Sequence, residues 1–169
     1  MDGRDGLTWR APVLGDAEAL GRLHHQAWVD AYGDLLPSDW FERWTVADAV
    51  AKWEGILRAP EVPDQVRLAV FADDSEAVAW IVVGAARPLD DLAPVRAREL
   101  WGIYLAREQY GTGLAHALVD HLLGDDPAQL WVAERNARAE AFYRKVGFER
   151  DGAHATHEPS GLLEVRMVR

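Results

Sequence analysis

Residues 110–113 read Tyr-Gly-Thr-Gly and stand between an apolar run and the first turn of a helix. Two glycines one residue apart remove the Cβ atoms that would hold an anion away from the backbone. A helix N-terminus adds unpaired N–H groups and the positive end of its dipole, so the pattern suits a phosphate as well as it suits a plain tight turn. No Lys-Ser/Thr pair follows, which excludes the nucleotide P-loop, and the glycine register of a dinucleotide fold is absent. The chain has no cysteine. Disulfides, thiolate metal sites and a cysteine nucleophile are excluded together.

Other residues able to do chemistry are scattered. His24 and His25 fall on a helical stretch, with His24 on its apolar side, where a histidine is more often a satisfied core residue than a proton acceptor. His154, His157 and Glu158 lie within "GAHATHEPSG". Their spacing admits a metal set or a solvated loop, and no metal is expected. Trp28 and Tyr32 stand at i and i+4, as core or as a pocket wall.

The elements that must position these residues follow from hydrophobic spacing. Residues 7–11 read as a first strand. Asp16 is placed to cap a helix whose apolar side carries Leu20, Leu23, Ala27, Trp28 and Ala31, broken by Gly33 and Pro37. A second helix is predicted over residues 38–57, with Trp40, Trp44 and Trp53, and a proline loop over 59–65. Residues 66–72, a turn at 73–76 and the apolar run 77–86 form a hairpin. A strand over 99–105 feeds the glycine loop. The helix after Gly113 turns Leu114, Ala117, Leu118 and Leu122 to one side. A strand over 128–133 leads to a short helix with Ala139, Phe142, Tyr143 and Val146 in register, stopped by Gly147. Two strands close the chain. The order β-α-α-β-β-β-α-β-α-β-β predicts one mixed α/β domain over 1–169.

Composition narrows the class. The chain has 169 residues, 49% of them apolar and 27% charged, which is a globular balance. The net charge is −10, and no Lys/Arg stripe appears, so nucleic acid is not an expected partner. The N-terminal residues carry charges where a signal peptide needs an apolar core, and the longest apolar run is too short to span a bilayer. No membrane association is expected, and a cytoplasmic protein is.

The stretch "ELWGIYLAREQYGTGLAHAL" resembles the acyl-CoA-binding segment of the GNAT superfamily of N-acetyltransferases, a strand followed by Arg/Gln-x-x-Gly-x-Gly/Ala at a helix start. Gly113 and Ala115 take the small positions, and Tyr110 stands where the family carries Arg or Gln. Downstream, "LWVAERNARAEAFYRKVGFERDG" is similar to the family's strand-x-x-Asn-x-x-Ala-x-x-Phe-Tyr-x-x-x-Gly-Phe, on Asn136, Ala139, Phe142, Tyr143, Gly147 and Phe148. With "RAPVLGDAEALGRLHHQAW" matching the opening strand and helix, the resemblance covers nearly the whole chain.

The resemblance implies a central mixed, mostly antiparallel sheet flanked by helices, and acetyl transfer from acetyl-CoA, as co-substrate, to a primary amine. It implies acetyl-CoA contacts at Ile103, Tyr104 and Leu105, through Tyr110, Gly111, Thr112 and Gly113, at Leu114, Ala115 and His116, and at Asn136, Ala139, Phe142 and Tyr143. With no cysteine for an acyl-enzyme, the amine attacks the thioester directly in a ternary complex. An N–H near Leu105 steadies the oxyanion. Tyr143 is the expected acid and Glu99, beside the cofactor strand, the expected base. Trp28, Tyr32 and His154 are expected to line the site of a small-molecule or peptide amine. Family members are often dimers, so the resemblance admits a homodimer. A non-catalytic acyl-CoA-binding module on the same scaffold is the alternative.

Overall fold

The structure is a computed structural model that describes residues 6–60, 64–73, 75–158 and 160–169. The expected loop 59–65 and turn 73–76 therefore lie partly outside the described residues. The elements are β1 (Thr8–Arg10), α1 (Ala17–Tyr32), α2 (Trp40–Arg43), α3 (Val46–Arg58), β2 (Val66–Asp73), β3 (Glu76–Ala85), β4 (Arg98–Leu105), α4 (Leu114–Leu123), β5 (Ala128–Ala133), α5 (Ala137–Lys145), β6 (Glu149–His157) and β7 (Leu162–Val168).

Seven strands form one sheet in the order β1-β2-β3-β4-β5-β7-β6. Every pairing is antiparallel except β4 with β5. The uninterrupted apolar run of β3 has a plain cause, since all eight of its interior residues are buried. A strand covered on both faces needs no polar alternation. One face packs Val70, Ile81, Leu100 and Phe148 against Leu114, Leu118 and Tyr143 of α4 and α5. The other packs Phe71, Trp80 and Val82 against Leu20 and Leu23 of α1 and Trp53 of α3.

Local chemistry moves two boundaries. The helix expected over 38–57 is two helices, because Thr45 takes an extended backbone and caps α3. Its Oγ1 accepts from the Asp48 N–H at 3.3 Å, and the Asp48 carboxylate accepts from the Thr45 N–H at 2.8 Å. This reciprocal box, worth about 1 kcal/mol, outweighs continuing the helix through Trp44 and Thr45. Asp16 does precede α1, but its side chain caps nothing there. It accepts a bidentate pair from Arg10, at 2.6 and 2.8 Å, and the Val13 N–H at 2.7 Å.

The feature that matters for function is where β4 and β5 part. Their register runs only from Arg98 to Leu100 and from Ala128 to Leu130, while β4 continues to Leu105 and β5 to Ala133. Trp101 is an extra residue in β4, since Leu100 faces Val83 and Gly102 faces Val82. A bulge of this kind bends its strand. It sits at the point where the pair splays.

Candidate active site

The opening between β4 and β5 is the mouth of a cleft of about 920 Å³. Its walls carry free backbone groups. The Ala106 N–H donates to the Val78 carbonyl at 2.8 Å, and N–H directions alternate along a strand. The N–H groups of Leu105 and Ile103 therefore point away from β3, into the opening.

At one end lies the glycine loop. Gly111 and Gly113 both have left-handed backbones, with φ of 76° and 85°, and a Cβ at either position would meet nothing within 4 Å. The glycines thus serve the turn and leave open space in front of the α4 N-terminus. Of the residues expected around acetyl-CoA, Ile103, Tyr104, Leu105, Tyr110, Gly111 and Gly113 line the cleft. So do Ala115, His116, Asn136, Ala139, Phe142 and Tyr143. Two others do not. Leu114 is fully buried in the core. The Thr112 hydroxyl turns back to donate to the Gln109 carbonyl and accept from the Leu114 N–H. Tyr110 carries the Arg138 guanidinium 4.1 Å above its ring, which brings a cation to the loop from α5. Asn136 caps α5 by accepting the Ala139 N–H at 3.1 Å.

The centre of the cleft holds phenols and carboxylates. The Tyr32 and Tyr104 hydroxyls meet at 3.2 Å. Burial, then the nearby Tyr32 and Glu164, push the Tyr143 phenol above its ordinary value. Glu99 is a buried side chain, 2% exposed, and not a surface charge. Its Oε1 accepts from the Arg87 guanidinium at 2.5 and 3.1 Å. Its Oε2 accepts from the Arg87 backbone at 3.1 Å and from Gln129 at 3.0 Å. Gln129 in turn accepts from the Val95 N–H at 2.9 Å. Glu99 thus fastens the 86–97 segment to the sheet.

A residue that sequence reasoning passed over stands close by. Glu164 on β7 has only Ala133 and Ala155 beside it on the flanking strands. It lines the cleft and, among the described residues, engages no cation directly. Burial pushes its carboxyl up to about 7, with Arg87 opposing and Glu99 adding to the rise. A signal was present in the sequence, because Glu164 interrupts the apolar strand "LLEVRMV".

The acceptor side also differs from expectation. Trp28 and Tyr32 line the cleft, but His154 does not. His154 is exposed, on the other face of β6 from His157, as an odd spacing in a strand requires. His157 lines the wall in its place, its ring centroid 5.6 Å from that of Trp28. Among the described residues no three His, Asp or Glu side chains converge as a metal set, and no helix is long and apolar enough to cross a membrane.

Comparison with known proteins agrees with this geometry. The family model described as Acetyltransferase (GNAT) family matches residues 25–148. A probable N-acetyltransferase of Mycobacterium tuberculosis is 28% identical over 98 residues, which cover 53% of this chain and 56% of that protein. The chain thus spans about half the length of this curated relative. The PaiA N-acetyltransferase of Thermoplasma acidophilum, solved with coenzyme A, superposes with a TM-score of 0.61 at 18% identity, over 96% of this chain and 98% of that one. Spermidine N-acetyltransferase of Vibrio cholerae, solved with CoA and spermine, gives 0.60 at 19% identity, over 97% and 95%. At these identities the likeness speaks for the fold.

Proposed function

The chain belongs to the GNAT acetyltransferase family, and from that premise we propose that it moves the acetyl group of acetyl-CoA to a primary amine by direct attack. The observation that carries the reading is the splayed β4–β5 pair, which opens onto the glycine loop at the start of α4. An extended acyl-pantetheine arm fits such a gap, because it can take the free backbone groups that β5 leaves unpaired. The pyrophosphate then lies on the α4 N-terminus, before Gly111 and Gly113, with the Arg138 cation beside it.

Within this arrangement the amine nitrogen attacks the thioester carbonyl carbon. The oxyanion accepts from the Leu105 N–H, which faces the gap. As the C–N bond forms, the amine proton passes to a carboxylate. We assign that role to Glu164 and not to Glu99. Protonating Glu99 would break its pairing with Arg87 and release the 86–97 segment, whereas Glu164 is free of a direct cation and is poised near neutrality. The C–S bond then breaks and the sulfur takes the phenolic proton of Tyr143, which solvent restores. A thiol of pKa about 8.5 departs readily, so this acid assists without being indispensable.

The test is a panel of amines and peptides incubated with acetyl-CoA, following free thiol, alongside calorimetric binding of CoA. Release above the hydrolytic background with some amine supports the reading. Tight CoA binding with no release from any acceptor refutes it and returns the non-catalytic alternative.

A further inference from the structure

The acceptor end of the cleft is walled by rings. His24 is buried, and the rings of Trp28, Trp44, Trp53, Trp80 and Tyr104 have centroids between 5.3 and 6.3 Å from its own. Its Nδ1 accepts from the Trp53 indole at 3.2 Å. An indole only donates, so the His24 proton is on Nε2 and the ring is neutral. Burial agrees, holding this imidazole at about 3. Two glycines make room for the indoles. A Cβ on Gly102 would stand 3.1 Å from the Trp80 ring, and one on Gly84 would stand 3.1 Å from Trp101.

Charge and hydrogen-bonding capacity select further. Of the two carboxylates lining the cleft, Glu99 is neutralised by Arg87. That leaves Glu164 to meet one amine. Lys52 also lines the cleft, and its charge opposes a substrate with several positive charges. The indole N–H groups of Trp80 and Trp131 are buried with no partner among the described residues, and both residues line the cleft. These are donors in search of an acceptor, which a polyamine cannot supply and a hydroxyl or carbonyl oxygen can. The far wall is aromatic as well. His157 contacts Trp28 across 5.6 Å and Trp28 contacts Trp44 across 5.1 Å, which extends the run of rings along this wall.

We propose that the acceptor is a small primary monoamine carried on a flat aromatic arm that bears a hydrogen-bond acceptor. This rests on the acetyl-transfer reading above. The ring lies among Trp28, Trp80 and Tyr104, its oxygen takes an indole N–H, and its amine is delivered to Glu164. The amine proton passes to that carboxylate while nitrogen bonds to the acetyl carbon and sulfur leaves.

The experiment is a comparison of kcat/KM on the wild-type protein with acetyl-CoA and four acceptors, namely tyramine, 2-phenylethylamine, spermidine and an alanine-initiated hexapeptide. Burying a ring that the other two lack gives both arylalkylamines an advantage of roughly tenfold or more. Tyramine also exceeds 2-phenylethylamine, and Trp80→Phe, which keeps a ring and removes the N–H, narrows that difference. Acetylation of spermidine or the peptide as fast as of the arylalkylamines overturns this inference while leaving acetyl transfer intact. Equal rates for tyramine and 2-phenylethylamine remove the hydrogen-bond-acceptor part. Thiol release with none of the four, nor with any wider amine, overturns the acetyl-transfer reading itself.

Discussion

Replacing Glu164 with Gln keeps the volume and removes the one cleft carboxylate among the described residues that is not committed to Arg87. With its carboxyl at about 7, roughly a tenth of Glu164 is ionised at pH 6 and about nine tenths at pH 8. Wild-type kcat/KM, at saturating acetyl-CoA, therefore climbs about tenfold across that interval. General base catalysis is typically worth about 10²- to 10⁴-fold, so E164Q falls by at least roughly 10²-fold at pH 8. Its residual rate rises about tenfold per pH unit, because only the amine's own deprotonation, near pH 10.4 for a lysine-like amine, then supplies the nucleophile. Stability gives a second reading with the opposite sign. The folded carboxyl titrates above its unfolded value of 4.5, so the folded state binds more protons between pH 4.5 and about 7. The wild type then loses up to about 3 kcal/mol relative to E164Q as pH rises through that window. The assay is a pair of pH series, one of thiol release and one of urea midpoints, for wild type, E164Q and E99Q. An E164Q rate profile that overlays wild type, with E99Q carrying the lost limb, refutes the assignment and restores Glu99 as base.

Tyr143→Phe keeps the ring that packs on Phe142 and Phe148, so its melting temperature stays near wild type while kcat falls by roughly 10²-fold; an unchanged kcat makes the residue packing only. Gly113→Val forces a β-branched residue into φ of 85° at a cost of about 1–3 kcal/mol; calorimetry on the folded variant should find acetyl-CoA affinity down by roughly tenfold or more, and wild-type affinity removes the phosphate cradle. His24→Gln can still accept from Trp53. Because the folded imidazole sits at about 3 against 6.5 unfolded, the folded state binds fewer protons in that window. The wild type should therefore lose stability relative to the variant, by up to about 1.4 kcal/mol per unit, as pH falls from 6.5 toward 3; parallel stability curves would mean that the imidazole charges in the fold.

What the sequence made legible is what depends on backbone. A strand buried on both faces reads as an unbroken apolar run, and β3 does so. A loop that frees backbone N–H groups reads as glycine at fixed spacing, and residues 111 and 113 take the left-handed angles that spacing implies. The period-3.6 pattern assigns faces, so His24 is placed on an inward side that the structure bears out, whereas the parity of Glu99 with Ile103 and Leu105 is broken by the bulge at Trp101. Parity does not identify a side chain's partner. Arg87 lies twelve residues before Glu99, on the segment that Glu99 holds, and nothing local announces the pair. The two departures in the first half have the same origin, since Asp16 found Arg10 and Thr45 found Asp48 where helix spacing alone was counted.

The acceptor end illustrates the limit most sharply. Trp28 comes from α1, Trp53 from α3, Trp80 from β3, Tyr104 from β4, His157 from β6 and Glu164 from β7. Each is one aromatic or acidic residue in an otherwise ordinary element, and each reads alone as core or surface. Their convergence follows from the sheet order, which places β7 between β5 and β6, and from the bulge at Trp101 that parts β4 from β5. One strand-order decision thus converts Glu164 from a charge near the C-terminus into the carboxylate facing Tyr32 and Tyr143. His157 and not His154 reaches the wall, because their odd spacing along β6 sends the two side chains to opposite faces. Residues that bind the shared acetyl-CoA can be carried by a local motif. Those that choose the amine are carried by topology.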